Sequence, residues 1–230
     1  KHLLKKSNYL SLHTTYATLG CRNECHFCSI KSFYQGKRYV REVDDIVNEL
    51  RSFKSKFVMF IDDNLTQDRD YVRSLLTAMM PLKKRWVTQA SIDIADDPEL
   101  LKLMRDSGCI GVFIGLETYR EAIQKIHKQG IFVEAGIIFG FDTDDVTVFE
   151  HTLKTLDQIG IDAIQVSILT PLPGTQLFEH LKDRIFDTNW EHYDYKYAVY
   201  QPAQMTRDEL RAGLEWINKQ FYSPVRIFKR

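Results

Sequence analysis

The sequence predicts an α/β protein, a partial (β/α)6 barrel of TIM type with a C-terminal α-rich extension. Short, continuous apolar segments alternate with longer segments in which apolar residues recur at the helical period. Polar residues follow the apolar segments, as expected at the carboxyl ends of parallel strands, where such barrels carry their chemistry. A chain of 230 residues is long enough for one domain of this kind.

Six strands are predicted from segments that are apolar or rich in aromatic and β-branched residues and too short for buried helices. Continuous apolar strands with helices between them indicate a parallel sheet covered by helices. The predicted strands are residues 9–17, 57–61, 86–94, 110–116, 131–139 and 163–169.

The segments between the strands carry apolar residues on one helical face, together with residues typical of helix ends. Asp97 followed by Pro98 is typical of a helix start, and Gly108, Gly130 and Gly160 are typical of positions just beyond a helix. The predicted helices are residues 43–53, 71–79, 98–107, 119–129 and 146–159.

The chain changes character after Pro171. Residues 171–175 read Pro-Leu-Pro-Gly-Thr, which is a turn, and residues 186–201 are rich in tyrosine with few helix signals. Thr206 with Glu209 three residues later predicts a capped final helix. We therefore predict a barrel over residues 1–175 and an extension over residues 176–230 that packs on it. The tyrosines between positions 193 and 200 are equally compatible with a substrate wall and with core cover.

Charge and composition exclude several classes of function. Thirty-one Lys and Arg residues balance 31 Asp and Glu residues, whereas nucleic-acid binding through phosphates favours a basic excess. No apolar run reaches the ~20 residues that a transmembrane helix needs, and residues 1–10 do not resemble a signal peptide. We therefore expect a cytoplasmic protein without a nucleic-acid partner. The chain lacks an initiator Met, which is typical of a fragment or a processed form.

Three of the four cysteines, Cys21, Cys25 and Cys28, have the spacing C-x3-C-x2-C directly after the first predicted strand. Three thiolates on a short loop can bind three corners of a four-iron cluster and leave one iron open for a non-protein ligand. Two alternatives are a zinc site completed by His26 or Cys109 and a ferredoxin-like electron carrier, either of which would make the chain a binding protein. Zinc sites usually combine two separated ligand pairs and a carrier needs a fourth ligand, so both are less favoured.

This spacing, with the aromatic Phe27 before the last cysteine, resembles the signature of the radical S-adenosylmethionine (SAM) enzymes. The resemblance covers roughly residues 9–175. It implies a [4Fe–4S] cluster held by the three cysteines, with SAM bound at the remaining iron. In that family, reductive cleavage of SAM produces a 5′-deoxyadenosyl radical that attacks an unactivated C–H bond of the substrate. A flavodoxin or ferredoxin is the kind of electron donor that we expect.

The resemblance also implies SAM-binding residues at the strand ends. Asp62 or Asp63, where many members have Gly-Gly-Glu, is expected to accept hydrogen bonds from the methionyl ammonium group. Glu117 is expected near the ribose or methionine, and the segment with Ile138 and Gly140 near the adenine. A strand-end Asp-Asp-Asn also commonly serves turns and caps, so a structural role is the alternative. The full predicted set is Phe27, Asp62, Asp63, Gln89, Ser91, Glu117, Ile138 and Gly140.

Further segments, among them residues 60–66, 170–175 and 221–226, look like the cobalamin-binding class of these enzymes, which carries a cobalamin domain before the barrel. That domain is not in this sequence, so either the chain is the catalytic part of a longer protein or this member lacks cobalamin. We expect methyl transfer to a small-molecule or lipid-like substrate. Cyclisation or other C–C bond formation without cobalamin is the alternative. Methylthiolation of RNA is disfavoured because the chain has neither a basic excess nor an added RNA-binding domain.

The connection after the fourth predicted strand is unusually short. Only Thr118 separates Glu117 from a helix that begins at Tyr119, whereas βα connections usually have ~2–6 residues. We predict that the sequence omits a segment here, and that this segment forms a lid that orders with substrate.

Overall fold

The computed structural model describes residues 13–115 and 120–228, and its centre is a six-stranded parallel sheet. The strands are β1 (Thr14–Thr15), β2 (Thr18–Leu19), β3 (Tyr39–Val40), β4 (Phe57–Phe60), β5 (Arg85–Gln89), β6 (Cys109–Gly115), β7 (Phe132–Phe139) and β8 (Ala163–Ile168). The order in the main sheet is β1-β4-β5-β6-β7-β8, and β2 pairs with β3 in a separate antiparallel ribbon.

Helices connect the parallel strands, as the apolar periodicity predicts. The α-helices of the described residues are α1 (Ser29–Tyr34), α2 (Val43–Ser52), α3 (Arg69–Met79), α4 (Pro98–Asp106), α5 (Arg120–His127), α6 (Val148–Ile159), α7 (Gln176–Leu181), α8 (Arg207–Phe221) and α9 (Pro224–Ile227). Short 3₁₀ helices occur between several of them. The prediction of an α/β fold is therefore confirmed.

The barrel is open. Within the described residues, β1 and β8 are the two edge strands of the sheet and do not pair with each other. A complete barrel of this type has eight strands, so six strands close only part of the circle. The prediction of a partial barrel is confirmed.

In β4, β5 and the first half of β7, residues buried beneath the helices alternate with less buried residues. In β4, Val58 and Phe60 are buried while Met59 is half-buried, and in β7, Ala135 is buried while Glu134 is half-buried. This alternation follows from the two-residue period of side chains along a strand. We call the less buried surface of the sheet the inner face. Its residues, read across the strand register, include Met59, Val87, Gln89, Phe113, Glu134, Gly136, Ile138, Gln165 and Ser167.

The first strand is shorter than predicted in the part of the chain that is described. Residues 9–12 lie outside the described residues, and β1 contains only Thr14 and Thr15. The backbone N–H groups of Ala17 and Thr18 donate to the side chain of Asp62 and not to a neighbouring strand. The chain therefore leaves the sheet at this point.

The predicted strand over residues 86–94 also ends early, at Gln89. The Ala90 N–H makes a last bond to the Phe113 carbonyl, and a 3₁₀ helix follows over Ile92–Asp96. Ile94 is completely buried within this 3₁₀ helix. A short apolar segment has the same appearance in a strand and in a buried turn, which explains the error.

The predicted helix ends are confirmed by their hydrogen bonds. Asp97 accepts the Leu100 N–H at the start of α4, and Gly160 adopts a left-handed conformation (φ 80°) just after α6. Thr206 and Glu209 form a reciprocal capping box at the start of α8. These signals are local, because each cap joins residues only a few positions apart in the chain.

The C-terminal segment contacts the last part of the barrel. Helix α8 packs against both β8 and α6. A small second core joins Leu169, at the end of β8, with Leu181 and Tyr200 of the predicted extension. The boundary near residue 175 stays a prediction, because this core contains residues from both sides of it.

Across residues 13–115 and 120–228, no helix combines the length and the apolar character needed to cross a bilayer.

Gly213 lies where α8 crosses α6, and a Cβ atom added there would lie 2.1 Å from the Phe149 ring. Phe149 is 4% exposed and packs against Phe139, so the ring has little room to move. We expect Gly213→Ala to lower the free energy of unfolding by about 1–3 kcal/mol through overpacking, although helix propensity alone favours Ala by ~1 kcal/mol. Urea denaturation measures whether the free energy of unfolding falls or rises in this variant. Ala212→Gly is the control. Ala212 is exposed, so this change should lower the free energy of unfolding only by the difference in helix propensity. A Gly213→Ala protein that is more stable than the wild type would contradict the expected clash with Phe149.

Candidate functional site

The three clustered cysteines lie on an irregular loop between β2 and α1. Cys28 occupies the N-cap position of α1, and its N–H donates to the carbonyl of Cys25 at 3.1 Å, which makes a tight turn. None of these three cysteines forms a disulfide bond; Cys25 is exposed, and Cys21 and Cys28 are partly exposed. The loop therefore presents three accessible sulfur ligands on eight consecutive residues.

The start of the loop is held by the buried carboxylate of Asp62, which follows β4. Oδ1 accepts from the Thr18 N–H at 2.6 Å and from the Thr18 hydroxyl at 2.8 Å, and Oδ2 accepts from the Ala17 N–H at 3.0 Å. Asp62 is 0% exposed. Burial raises the pKa of its carboxyl, while the hydrogen bonds from Ala17 and Thr18 act in the opposite direction. Both carboxylate oxygens thus accept hydrogen bonds from residues at the start of the loop. This favours the structural role that the sequence offered as the alternative to SAM binding.

Asp63 holds the next residue of the loop and is only half-buried. Its Oδ2 accepts from the Gly20 N–H at 2.7 Å, which leaves the second oxygen for another partner. Gly20 has a φ of 88°, and a Cβ atom at this position would lie 2.3 Å from the Lys37 carbonyl oxygen. Glycine is therefore required immediately before Cys21. Of the two predicted acids, Asp63 is the one that is partly exposed, and its role in SAM binding stays a prediction.

Gln67 contacts the loop beside Cys21, and the sequence offered no signal for this role. Its Oε1 accepts from the Arg22 N–H at 2.9 Å. Its Nε2 donates to Asn23 Oδ1 at 3.1 Å and lies 3.6 Å from Cys21 Sγ. A glutamine after a strand is too common for its position alone to indicate a function.

The other end of the loop is held by the segment after β8. The Leu177 N–H donates to the His26 carbonyl at 3.1 Å, and the Ser32 hydroxyl donates to the Gly174 carbonyl. Phe27 packs edge-on against Phe141, with ring centroids 6.1 Å apart, at the border of the small second core. Phe27 thus anchors the loop to the end of β7.

Polar side chains from two neighbouring strands meet beside the loop. The Asn64 side chain is buried, and its Nδ2 donates to Ser91 Oγ at 2.6 Å. Gln89 is the last residue of β5 and is exposed on the inner face. The structure thus bonds Ser91 to Asn64, the residue after Asp63, and leaves the side chain of Gln89 exposed.

The end of β7 is locked into an unusual conformation around Gly140, which has a φ of 107°. The Gly140 N–H donates to Asp144 at 2.9 Å, and its carbonyl accepts from the Tyr200 hydroxyl. A Cβ atom here would lie 2.6 Å from the Tyr200 hydroxyl oxygen. Ile138, two residues earlier, is half-buried beside the small second core.

Two predictions fall on residues 116–119, which lie outside the described residues. They are the role of Glu117 and the omitted segment between Thr118 and Tyr119. Both stay predictions.

Cys109 lies far from the cysteine loop in the fold. It is the first residue of β6, at the amino end of a strand, whereas the loop lies at the carboxyl ends. The thiol is buried and donates to the Gly111 carbonyl, and burial raises its pKa to about 12. A protonated thiol is a poor metal ligand, so the prediction that Cys109 acts as a small buried hydrophobe is favoured over a fourth ligand.

The described residues contain no group of three or more His, Cys, Asp or Glu side chains gathered tightly enough to hold one metal ion. A four-iron cluster places each thiolate on a different iron, so its ligands are spread more widely than those of a single ion. Cys25 and Cys28 border a cavity of about 330 Å³, which also contacts Lys31 and Gly174. Soft, accessible thiols on a well-anchored loop are a donor set that fits an iron–sulfur cluster.

The tyrosines of the extension divide between core and surface. Tyr200 is completely buried, whereas Tyr195 and Tyr197 are 47% and 45% exposed. Tyr195 has a φ of 68°, and its carbonyl accepts from the Ile168 N–H at the end of β8. Tyr200 is therefore a residue of the core. That the exposed Tyr195 and Tyr197 line a substrate site stays a prediction.

The fold and the loop define a class of protein. Residues 15–136, more than half of the chain, match the Radical SAM superfamily. The chain belongs to this superfamily of enzymes, whose members use a [4Fe–4S] cluster and SAM. The resemblance noted in the sequence is thereby confirmed.

Several relatives are similar over most of this chain. A bacteriochlorophyllide d C-12(1)-methyltransferase of Chlorobaculum tepidum is 29% identical, over 96% of this chain and 54% of the relative. A hopanoid C-2 methylase of Rhodopseudomonas palustris is 29% identical, over 99% and 48%. An anaerobic magnesium-protoporphyrin IX monomethyl ester cyclase of Cereibacter sphaeroides is 26% identical, over 91% and 38%. The chain thus spans about half or less of the length of these relatives.

The fold is also that of a solved member. The radical SAM methyltransferase TsrM of Kitasatospora setae, with tryptophan substrate and a SAM analogue bound, superposes with a TM-score of 0.68. The superposition covers 90% of this chain and 45% of that one, at 15% identity. At this identity the likeness concerns the fold.

Asp62→Ala would leave the buried N–H groups of Ala17 and Thr18 without an acceptor. Since each such donor costs ~1–3 kcal/mol, we expect a loss of about 2–4 kcal/mol in the free energy of unfolding, measured by urea denaturation. Asp63→Ala is the control, because the half-buried Asp63 carboxylate accepts a single N–H, that of Gly20, and its removal should cost less, about 1 kcal/mol. Equal losses in the two variants would contradict the proposed difference between the carboxylates.

Proposed function

We propose that Cys21, Cys25 and Cys28 hold a [4Fe–4S] cluster, and that this chain is the part of a radical SAM enzyme that binds and reductively opens SAM. The observation that carries the proposal is the loop itself, with three accessible thiols clamped at both ends by the carboxyl ends of the barrel strands. When bound, the cluster supplies an electron and an open iron position for SAM.

The chain's own residues position SAM beside the cluster. Asp63 has one oxygen on Gly20 and its second oxygen available, so it accepts the methionyl ammonium group. Ser91 and the Asn64 amide bonded to it line the neighbouring strand end, and Gln89 is exposed on the inner face next to them. These groups extend the binding surface from β4 to β5.

The end of β7 provides an apolar surface for the adenine. Ile138 is half-buried, and Gly140 lets the backbone pass without a side chain. The bond from Tyr200 to the Gly140 carbonyl and the bond from the Gly140 N–H to Asp144 hold this backbone still. A rigid edge favours binding because little conformational freedom is lost. Glu117 keeps its proposed place near the ribose or methionine.

For the reaction as a whole, we propose cobalamin-dependent methyl transfer to an unactivated carbon of a small, apolar molecule. Support comes from the relatives named as methyltransferases of a bacteriochlorophyllide and of hopanoids. A structure of TsrM holds cobalamin together with a [4Fe–4S] cluster. Cobalamin would bind to a part of the protein outside this chain, and a flavodoxin or ferredoxin would donate the electron.

Cyclisation without methyl transfer is the second candidate, because two anaerobic magnesium-protoporphyrin IX monomethyl ester cyclases are also similar to this chain. The two reactions leave different products of SAM. Methyl transfer to an unactivated carbon produces S-adenosylhomocysteine from the SAM that donates the methyl group, and methionine and 5′-deoxyadenosine from the SAM that is opened. Cyclisation produces only methionine and 5′-deoxyadenosine.

We expect anaerobically reconstituted protein to bind about four irons per chain, as a single cubane requires. Replacing Cys21, Cys25 or Cys28 by Ala should reduce the iron content to near background, measured by colorimetric iron assay and the absorbance of the cluster. Cys109→Ala is the matched control and should keep full iron. Loss of iron only in Cys109→Ala, or retention in all variants, would contradict the ligand assignment.

We expect the iron-loaded protein, incubated anaerobically with SAM and dithionite, to form 5′-deoxyadenosine, and Cys25→Ala to form none, as measured by liquid chromatography. Asp63→Asn should raise the SAM concentration needed for half-maximal product by about tenfold, which corresponds to the ~1.4 kcal/mol of one charge-assisted hydrogen bond. In the full-length protein with its substrate, S-adenosylhomocysteine would favour methyl transfer and its absence would favour cyclisation. A fully loaded cluster without any 5′-deoxyadenosine would contradict the proposed function.

A further inference from the structure

The sulfur of Cys21 faces two N–H donors, one from a side chain and one from the backbone. Gln67 Nε2 lies 3.6 Å from Cys21 Sγ, and the Asn23 N–H donates to the same sulfur at 3.5 Å. Sulfur is a large acceptor, so N–H···S contacts are longer than N–H···O hydrogen bonds. Neither donor was apparent from the sequence.

Gln67 projects from a rigid part of the core. It is the last residue of the 3₁₀ helix Leu65–Gln67, in which Leu65 and Thr66 are completely buried. The Thr66 hydroxyl donates to Asn64 Oδ1 at 3.2 Å, and the following residue, Asp68, caps α3 by accepting the Tyr71 N–H. The backbone of Gln67 is therefore fixed on both sides.

The side chain of Gln67 is also fixed at its far end. Its Oε1 accepts from the Arg22 N–H at 2.9 Å, so the amide orientation that makes this bond directs Nε2 toward Cys21 and Asn23. The donor is thus held in place before any ligand binds. A donor that is already oriented loses little freedom when the sulfur becomes charged.

An N–H donor beside a cluster thiolate has a predictable electrostatic effect. The reduced cluster carries one more negative charge than the oxidised cluster, so a hydrogen bond to a ligating sulfur stabilises the reduced form and raises the reduction potential. Only the N–H side of the amide supplies this effect. The Oε1 side holds the loop.

We propose that Gln67 is a positioning residue that raises the reduction potential of the cluster by donating its side-chain N–H to Cys21 Sγ. This inference rests on the proposed function, in which Cys21 is a cluster ligand. It adds a residue, outside the cysteine motif, that determines how easily the cluster accepts the electron needed to open SAM.

The test compares three variants of the iron-loaded protein in a redox titration followed by electron paramagnetic resonance of the reduced cluster. Gln67→Leu removes both halves of the amide, and Gln67→Glu keeps an oxygen for the Arg22 N–H but replaces the N–H donor with a negative charge. Asn23→Ala is the control, since it removes the side-chain partner of Gln67 and keeps both N–H donors on Cys21. Iron content is measured for every sample.

We expect the midpoint potential to fall in Gln67→Leu, to fall further in Gln67→Glu, and to stay near the wild-type value in Asn23→Ala. If Gln67→Leu fails to retain iron, Gln67→Glu and Asn23→Ala still decide the question. Unchanged potentials in fully loaded Gln67 variants, or an equal fall in Asn23→Ala, would overturn this inference and leave the cluster assignment intact. A wild-type protein that binds no cluster would instead refute the proposed function.

Discussion

The buried carboxylate of Asp62 is the interaction on which the cysteine loop depends. It accepts hydrogen bonds from the backbone of Ala17 and from the backbone and hydroxyl of Thr18, and it is completely shielded from solvent. Burying a carboxylate is unfavourable unless its oxygens are bonded, and these donors provide that compensation. The same bonds draw the chain away from the parallel sheet after β1 and direct it into the loop. One side chain therefore ends a strand and starts the functional segment.

The loop contains no regular structure of its own, so its geometry is imposed by its neighbours. Asp63 and Gln67 contact its first half from the end of β4, whereas the carbonyl of His26 and the ring of Phe27 are held by the segment after β8 and the end of β7. These contacts come from strands that are far apart in sequence. The spacing of the thiols is therefore a property of the folded sheet, and a change in any of these strand ends would reach the site through the loop.

The C-terminal segment contacts the strand end at which SAM binding is proposed. Tyr200 donates to the carbonyl of Gly140, and Arg184 forms a bidentate ion pair with Asp142 at 2.7 and 2.9 Å. Such paired hydrogen bonds between Arg and a carboxylate define orientation as well as distance. They hold the turn after β7 in the shape that Gly140 permits. The edge proposed to receive the adenine is thus shaped by residues beyond the predicted barrel.

The sequence by itself determined the α/β class, the order of the six strands of the main sheet with helices α2 to α6, the helix caps at Asp97 and Thr206, and the family, because periodicity, capping and the cysteine spacing are local patterns. The tertiary structure decided what those patterns leave open. It showed that Asp62 and Asp63 have different surroundings, that Gln67 faces Cys21, and that Ile94 lies in a buried turn and not in a strand. Burial and hydrogen-bond partners depend on residues distant in the chain, so no local pattern could distinguish two adjacent aspartates or identify one glutamine among many.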